Sequence, residues 1–213
     1  GITIYHGDCL DILPELELGQ VNSIVTDPPY GIVNRFGKNN SNNHGTRTME
    51  FPWDLAASVR EAIQEAARLC KRSAAAFIFT GLDTCELARE SLRAAGFTVK
   101  PAAWVKTCPP PAAPGNWWPS AFELAMYAYR DSPPFFDRNT ARNNVFVYDS
   151  YRHGMPGKVD HPTQKPLGLI EKIVFAITEK NGLCLDPFIG SGTTLRAAKN
   201  LGCRAIGIEI EER

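Results

Sequence analysis

Residues 27–30, Asp-Pro-Pro-Tyr, combine a carboxylate, two stiff backbone units and an aromatic ring directly after an apolar segment at 21–26. An exocyclic amine on a nucleobase is a poor nucleophile, because its lone pair is delocalised into the ring, and acceptors aimed at its two N–H groups help it to attack. The Asp27 carboxylate and the Pro28 carbonyl are two such acceptors; Pro28 and Pro29 preorganise them, and Tyr30 offers a face for an extruded base. A rigid turn at a strand end explains the same residues, since Asp-Pro commonly begins a turn.

A second segment, residues 186–194, reads Asp-Pro-Phe-Ile-Gly-Ser-Gly-Thr-Thr and lies between a predicted strand and a predicted helix. Gly190 and Gly192 allow a ligand to approach the backbone closely, and the helix N-terminus offers N–H groups to a carboxylate. Glu209 ends the next predicted strand, where nucleotide-binding α/β units grip ribose hydroxyls. Asp186 would repel a pyrophosphate but suits an ammonium group, so the loop predicts S-adenosylmethionine rather than NAD. Taken alone, the loop is also compatible with a plain strand–helix turn.

The elements that must position these two segments alternate along the chain. Strands are predicted at 2–6, 21–26, 74–80, 97–106, 121–130, 183–185 and 204–210, and helices at 9–16, 54–71, 83–95, 166–180 and 193–200. Alternation of this kind predicts an α/β, Rossmann-like fold with seven strands in a mostly parallel sheet. Strands 97–106 and 121–130 leave no room for a crossover helix, so one strand should be antiparallel. We expect a single domain over 1–213, with 131–160 as a short, irregular inserted segment.

Composition and charge restrict the function classes. The 213 residues are 44% apolar and carry 23 basic and 23 acidic side chains, a balance that does not favour a nucleic-acid binder. The first 29 residues nevertheless hold five acids and no Lys or Arg, whereas 130–165 have a basic surplus. An acidic end and a basic stretch fit a cationic ligand and a polyanion bound in different places, although chance explains the distribution equally well.

Membrane and metal signals are both missing from the sequence. No apolar run reaches the length of a membrane span and no signal-peptide pattern opens the chain, so a cytoplasmic protein without a membrane partner is expected. Six cysteines at irregular spacing include no C-x-x-C pair, so no metal site is predicted.

These two segments, together with residues 161–166, His-Pro-Thr-Gln-Lys-Pro, resemble the amino-methyltransferases of restriction–modification systems and phages. The order, with the catalytic motif first and the cofactor loop last, is similar to the circularly permuted β class, and the resemblance covers most of 2–130 and 161–210. It implies an S-adenosylmethionine-dependent DNA methyltransferase, bacterial or phage-encoded, in which strand 2–6 lies next to strand 204–210.

The resemblance also implies roles for single residues. Asp8 would contact the adenine of the cofactor, although an N-cap of the following helix is equally plausible. Thr163 and Lys165 would close the methionine end of the pocket, where Pro166 also serves as a helix lead-in. The full predicted cofactor set is Asp8, Thr163, Lys165, Asp186, Phe188, Gly190, Gly192, Thr193 and Glu209.

DNA contacts are predicted in three places. Basic residues after Tyr30 can meet phosphates, adjacent tryptophans can wedge into a base stack, and arginines within 131–160 can read base edges. A solvated loop and tryptophans that cap a core are the alternatives. The predicted DNA-contacting residues are Arg35, Lys38, Arg47, Trp117, Trp118, Arg138, Arg142 and Arg152.

The choice of target base depends on Asp27. Related cytosine-N4 enzymes usually carry Ser at this position, so adenine N6 is favoured and cytosine N4 is the alternative. A catalytically silent DNA- or cofactor-binding protein on the same fold is an alternative from another class. The short 131–160 interval argues against extensive recognition by a lone monomer, which makes a homodimer worth testing, and no feature of the sequence indicates a restriction endonuclease partner. The sequence ends shortly after Glu209, before the helix that normally follows, which suggests a truncated C-terminus.

Overall fold

The computed structural model describes residues 1–29, 56–82, 84–109, 118, 120–131, 143–151, 157–159 and 164–211. The strands are β1 Ile2–His6, β2 Val21–Thr26, β3 Cys70–Thr80, β4 Thr98–Lys106, β5 Phe122–Tyr129, β6 Val145–Tyr148, β7 Leu183–Asp186 and β8 Arg204–Glu209. The helices are α1 Cys9–Ile12, α2 Ala56–Arg68, α3 Cys85–Ala94, α4 Leu167–Ile177 and α5 Thr193–Asn200, with a 3₁₀ turn at Leu13–Glu15 after α1.

The strands form one sheet in the order β1-β8-β7-β2-β3-β5-β4-β6. Among the described strands, β5 alone is antiparallel to its neighbours β3 and β4, which confirms the mostly parallel α/β sheet and its antiparallel strand. The connection between β4 and β5, residues 107–121, contains five prolines, which disfavour the crossover helix that a parallel pairing would require.

The first strand lies beside the last one, as the permuted order requires. β1 pairs in parallel with β8 from Ile2 opposite Ala205 to His6 opposite Glu209, and the Gly7 amide donates to the Glu209 carbonyl at 2.9 Å. The carboxyl ends of the first and last strands of the chain therefore meet at one edge of the sheet.

The prediction of seven strands, with 131–160 irregular, is wrong at β6. Val145–Tyr148 adds an eighth strand at the sheet edge, parallel to β4. Phe146 packs edge-on against Phe77, with 5.5 Å between the ring centroids. Trp104 Nε1 donates a hydrogen bond to the Tyr148 carbonyl at 2.9 Å. These tertiary contacts stabilise a four-residue strand that is too short to be recognised between polar neighbours.

Helices cover both faces of the sheet. Strand residues alternate between two buried clusters, so that Ile24 and Ile78 pack with α2 and α3, whereas Val25 and Phe79 pack with α4 and α5. This period of two is the pattern of a sheet that is buried on both sides. None of the described helices is long and apolar enough to cross a bilayer.

Candidate active site

Four carboxylates meet at the carboxyl edge of the sheet. Asp186 ends β7 and Glu209 ends β8, while Asp27 follows β2 and Asp8 follows β1 by two residues. Because β1, β8, β7 and β2 are parallel neighbours, these side chains line one cavity of about 490 Å³. Open α/β sheets place their ligands at this edge. The loop that begins at Asp186 therefore lines the same cavity as Asp27 and Pro29.

Asp186 is a buried carboxylate held by local donors. Asp186 is only 3% exposed. Its Oδ1 accepts hydrogen bonds from Thr26 Oγ1 at 2.6 Å and from the Phe188 amide at 3.1 Å. Burial raises the pKa of Asp186 to about 6, while hydrogen bonds from Thr26, Thr194 and the Phe188 amide act against that rise and the charge of Asp27 adds to it. A cation in the cavity would favour the ionised form.

The loop after Asp186 is tied to β8 by Glu209. Gly190 and Gly192 have φ of 47° and 73°, and Gly192 is the N-cap of α5. Glu209 Oε2 accepts from the Gly190 amide at 2.8 Å, and Oε1 accepts from the Glu211 amide at 3.2 Å. The Gly190 amide is thus already engaged, whereas each carboxylate oxygen keeps capacity for a further donor such as a ribose hydroxyl.

Gly207 is a site-forming residue that the sequence analysis missed. A Cβ at this position of β8 would lie 2.2 Å from Ile189 Cγ2 and 2.8 Å from Leu195 Cδ1. The absence of a side chain lets the cofactor loop and α5 approach the strand closely. A glycine inside an otherwise apolar strand was the available signal.

Asp8 caps the first helix. Its Oδ1 accepts from the Leu10 amide at 2.9 Å, which shows the capping role, and the residue also lines the cavity. The N-cap bond leaves the other carboxylate oxygen for a ligand, so the two predicted roles are compatible.

The buried Lys165 forms an ion pair with Asp27, which is partly exposed. The Lys165 side chain is 8% exposed, and its Nζ also lies 3.1 Å from Glu123 Oε2 on β5 and 5.0 Å from the Phe79 ring centroid. Burial lowers the pKa of Lys165, but the charges of Asp27 and Glu123 outweigh burial and the pKa is raised. Lys165 was predicted as a cofactor contact; it does line the cavity, but its observed partners are carboxylates.

Glu123 and Lys106 extend this ion pair and were not predicted. Lys106 Nζ lies 2.8 Å from Glu123 Oε1. Burial acts to raise the pKa of Glu123, but Lys165 and Lys106 outweigh it and lower the pKa below its usual range. The signal was a single acid within the apolar run of β5.

The remaining predicted residues divide into two groups. The cavity is lined by Pro29, Phe188, Gly190 and Thr193, and Pro28, which precedes Pro29, is buried. Trp118 is 88% exposed, which excludes a role in capping the core. Nine predicted residues lie outside the described residues: Tyr30, Arg35, Lys38, Arg47, Trp117, Arg138, Arg142, Arg152 and Thr163.

The cavity fits S-adenosylmethionine by charge and by shape. Its described lining contains five carboxylates and one ammonium, that of Lys165, which favours a ligand bearing a sulfonium and an ammonium. Phe188, Ile189 and Ile208 add apolar surface for a flat base, and the volume is that of a small-molecule site. Within the described part of the chain, no group of three His, Cys, Asp or Glu side chains is arranged to hold a metal ion.

Comparison with known proteins decides the family. A family model described as DNA methylase, of the N6/N4 type, matches residues 21–213. The chain belongs to this DNA methylase family. Membership confirms the prediction of an S-adenosylmethionine-dependent DNA methyltransferase and agrees with the charge of the cavity.

Relatives and solved structures of this methylase family cover nearly the whole chain. The Type II methyltransferase M2.MboI of Moraxella bovis is 30% identical over 98% of this chain and 82% of the relative. M2.DpnII of Streptococcus pneumoniae, also a Type II methyltransferase, is 28% identical over 98% and 85%. The crystal structure of an M1.HpyAVI–SAM complex is 30% identical with a TM-score of 0.79, covering 100% of this chain and 94% of that one.

A more distant structure shares the fold alone. The cytosine-N4-specific PvuII DNA methyltransferase has a TM-score of 0.76 at 15% identity, over 99% of this chain and 82% of that one. The methylase fold therefore accommodates cytosine-N4 chemistry as well, and fold similarity does not choose between the two bases.

Proposed function

We propose that this methyltransferase transfers a methyl group to adenine N6 in duplex DNA, after the target adenine is flipped out of the helix. The observation that carries the proposal is that Asp27 and the loop that begins at Asp186 line one and the same cavity. An amine presented to Asp27 would share that cavity with the ligand held at Asp186. A base inside a duplex cannot reach such a cavity, which is why flipping is part of the proposal.

The cofactor end is assigned by charge and hydrogen-bonding capacity. Asp186 would pair with the methionine ammonium, Glu209 with ribose hydroxyls, and Asp8 with the adenine amine. Phe188, Gly190, Gly192 and Thr193 shape the wall, and Thr163 is assigned to the methionine end by resemblance. The resemblance places Lys165 there as well, but its partners in the structure are Asp27 and Glu123. When bound, S-adenosylmethionine supplies an electrophilic methyl group.

Asp27 acts on the target amine. If S-adenosylmethionine is held at Asp186 and Glu209, transfer of its methyl group to the amine would release a neutral thioether and leave positive charge on the amine nitrogen. The Asp27 carboxylate stabilises that charge and accepts one of the two amine protons, while the Pro28 carbonyl accepts a hydrogen bond from the other N–H. Tyr30 is proposed to stack on the flipped base.

DNA is proposed to lie over the carboxyl edge of the sheet. Trp118 is exposed and available for a base step, and the predicted phosphate and base-edge contacts are Arg35, Lys38, Arg47, Trp117, Arg138, Arg142 and Arg152. The short recognition interval is the argument for a homodimer on DNA, each copy of which would contribute one such edge.

The presence of Asp27 favours adenine over cytosine as the target base, since cytosine-N4 relatives usually have Ser at this position.

The test is transfer of tritiated methyl groups to unmethylated duplex DNA, followed by chromatography of the nucleosides. We expect the label in N6-methyladenine within one sequence context, and no label in the same DNA after saturation with unlabelled cofactor. Label in N4-methylcytosine would overturn the choice of base, and no label in any nucleoside would overturn the proposed activity.

A further inference from the structure

We propose that Lys165 and Glu123 are positioning residues that act through Asp27, forming with Lys106 a largely buried chain of alternating charges that orients the catalytic carboxylate and balances its charge. This inference rests on the proposed role of Asp27 as the acceptor for the target amine. It assigns to Lys165 a function different from contact with the cofactor, and to Glu123 a function that no motif indicates.

The four charged residues come from four separate elements and lie next to one another in the fold. Lys165 precedes α4, Asp27 follows β2, Glu123 is on β5 and Lys106 ends β4. Lys165 Nζ donates to Asp27 Oδ2 and lies 3.1 Å from Glu123 Oε2, while Lys106 Nζ lies 2.8 Å from Glu123 Oε1. A bond to one oxygen restricts rotation of the Asp27 carboxylate, which fixes the direction of its lone pairs.

The alternation of signs explains how the charges tolerate burial. Two carboxylates and two ammonium groups sum to zero, so the chain avoids the large cost of an unpaired buried ion. The ring of Phe79, 5.0 Å from Lys165 Nζ, adds a favourable contact for the ammonium. The removal of one member would leave its neighbour inadequately paired, so each member affects the others.

Charged groups from several elements lie near Asp27, and Asp8, Glu209 and Glu211 line the same cavity. Lys165 is the adjacent cation, Asp186 on β7 is a neighbouring carboxylate whose charge interacts with that of Asp27, and Glu123 and Lys106 lie behind Lys165. Lys165 opposes the repulsion from Asp186 and Glu123. Loss of its charge should therefore favour protonation of the acceptor, whereas loss of the Glu123 charge should disfavour it.

The experiment compares Lys165→Met, Lys165→Arg and Glu123→Gln for kcat against pH, KM for DNA and Kd for S-adenosylmethionine. Lys165→Met should lower kcat about a hundredfold, within the range of general acid–base effects, and move the acid limb of the kcat profile to higher pH. Its Kd should stay within about threefold of the wild type, because the interaction acts on the amine and not on the cofactor. Lys165→Arg should restore part of kcat, since it returns the charge.

Glu123→Gln should shift the acid limb of the kcat profile in the direction opposite to Lys165→Met. It should lower kcat less than Lys165→Met does and move the acid limb to lower pH, because it removes a negative charge from the vicinity of Asp27. Thermal melting of each variant checks folding, and Glu123→Gln alone carries the test if Lys165→Met fails to fold.

Three results would overturn the inference. A weaker Kd for Lys165→Met with an unchanged kcat would make Lys165 a cofactor contact. Equal losses of kcat in Lys165→Met and Glu123→Gln, with no shift of either acid limb, would leave only a scaffold role. An acid limb that moves the same way in both variants would contradict the charge argument. Absence of methyl transfer by the wild type in the same assay would instead reject the proposed function on which the inference rests.

Discussion

Asp186 combines deep burial with a ligand-facing position, and its protonation follows from both. Its carboxylate lines the cavity, and burial raises its pKa from the ordinary 3.8 to about 6. Above that pH the carboxylate is ionised in both the folded and the unfolded protein, and its burial costs stability. Between about pH 4 and 6 the folded state alone holds the proton, so the stability of the ligand-free protein should rise as the pH falls through this window.

Asp186→Asn should abolish this pH dependence and the affinity for the cofactor together. The affinity of the wild type for S-adenosylmethionine should fall below pH 6 by up to about tenfold per unit, because the cation requires the ionised carboxylate. In the variant the affinity should be low and flat with pH, while the melting temperature of the ligand-free protein at pH 8 should stay equal or rise. Calorimetric titration at pH 5, 6, 7 and 8 measures the first effect. A variant that retains wild-type affinity would remove Asp186 from the cofactor site.

The candidate site residues at strand ends were predictable, whereas the residues that contact them from neighbouring strands were not. Asp27, Asp186 and Glu209 each end or follow an apolar segment, and parallel strands bring such positions to one edge. Glu123 lies within β5, and only the antiparallel pairing with β3 and β4 brings it near Lys165. A sequence pattern gives the spacing along a strand but not the neighbour across the sheet.

At the scale of elements, one arginine joins two helix ends to the sheet. Arg130 follows β5, and its guanidinium donates to the carbonyls of Ala67 near the end of α2 and of Cys70, and twice to that of Ala95 after α3. It also stacks on Phe97 with a distance of 4.4 Å to the ring centroid. The carbonyls of Ala67 and Ala95 belong to helix ends, whose last carbonyls lack partners within the helix and carry partial negative charge.

Arg130→Ala should therefore destabilise the fold by about 2–4 kcal/mol, because several charge-assisted hydrogen bonds to partly buried carbonyls are lost together. Urea unfolding measures this loss, and the methyl-transfer rate per folded molecule should be unchanged. Arg72→Ala is the matched control, since the Arg72 side chain is 91% exposed and pairs with Asp131 on the surface, so its loss should cost less than about 0.5 kcal/mol. Equal effects of the two variants would contradict the capping role.

Element types were predicted better than element ends. The helix predicted over 9–16 divides into α1 and a 3₁₀ turn that contains Pro14, whose missing N–H cannot continue the α-helical pattern. The strand predicted from residue 74 begins at Cys70, where it pairs with Val21 across a register shift. Both differences arise from local backbone geometry and from pairing partners distant in sequence, which a periodicity of apolar residues does not record.

At the scale of the whole molecule, a net charge of zero has to be reconciled with a polyanionic substrate. The 23 acidic and 23 basic residues cancel, but the described lining of the cavity is strongly acidic, with five carboxylates and one lysine. Positive charge must therefore be in excess elsewhere on the molecule. The basic surplus within 130–165 is one place where the sequence supplies it.

The double variant Arg138→Ala and Arg142→Ala tests this separation of charges. If both arginines contact phosphates, the plot of log affinity for DNA against log salt should become less steep by about two, since each contact releases roughly one counterion. Arg204→Ala is the matched control, because Arg204 begins β8 at the amino edge of the sheet, opposite the cavity. Fluorescence anisotropy at several salt concentrations gives the slopes. Three identical slopes would place the DNA contact elsewhere.

The global arrangement was predictable because few topologies satisfy the alternation of strands and helices with one proline-rich connection in place of a crossover helix. Placement of β1 next to β8 came from the resemblance, and the observed register from Ile2 to His6 confirms it. The eighth strand was not predictable from its four residues, since β6 depends on contacts with Trp104 and Phe77 far away in the chain.

In the proposed mechanism, Asp27 acts on the target amine while a separate set of residues holds the cofactor. The most direct test is the single-turnover rate of methyl transfer to duplex DNA by Asp27→Ala, saturated with S-adenosylmethionine whose affinity is measured on the same preparation. Because the interaction of Asp27 is made mainly as charge develops in the transition state, methyl transfer should be abolished while the cofactor affinity stays near that of the wild type. Asp27→Asn, which preserves the shape but not the charge, should be nearly as inactive. A single-turnover rate close to that of the wild type would show that residues 27–30 are only a turn and would contradict the mechanism.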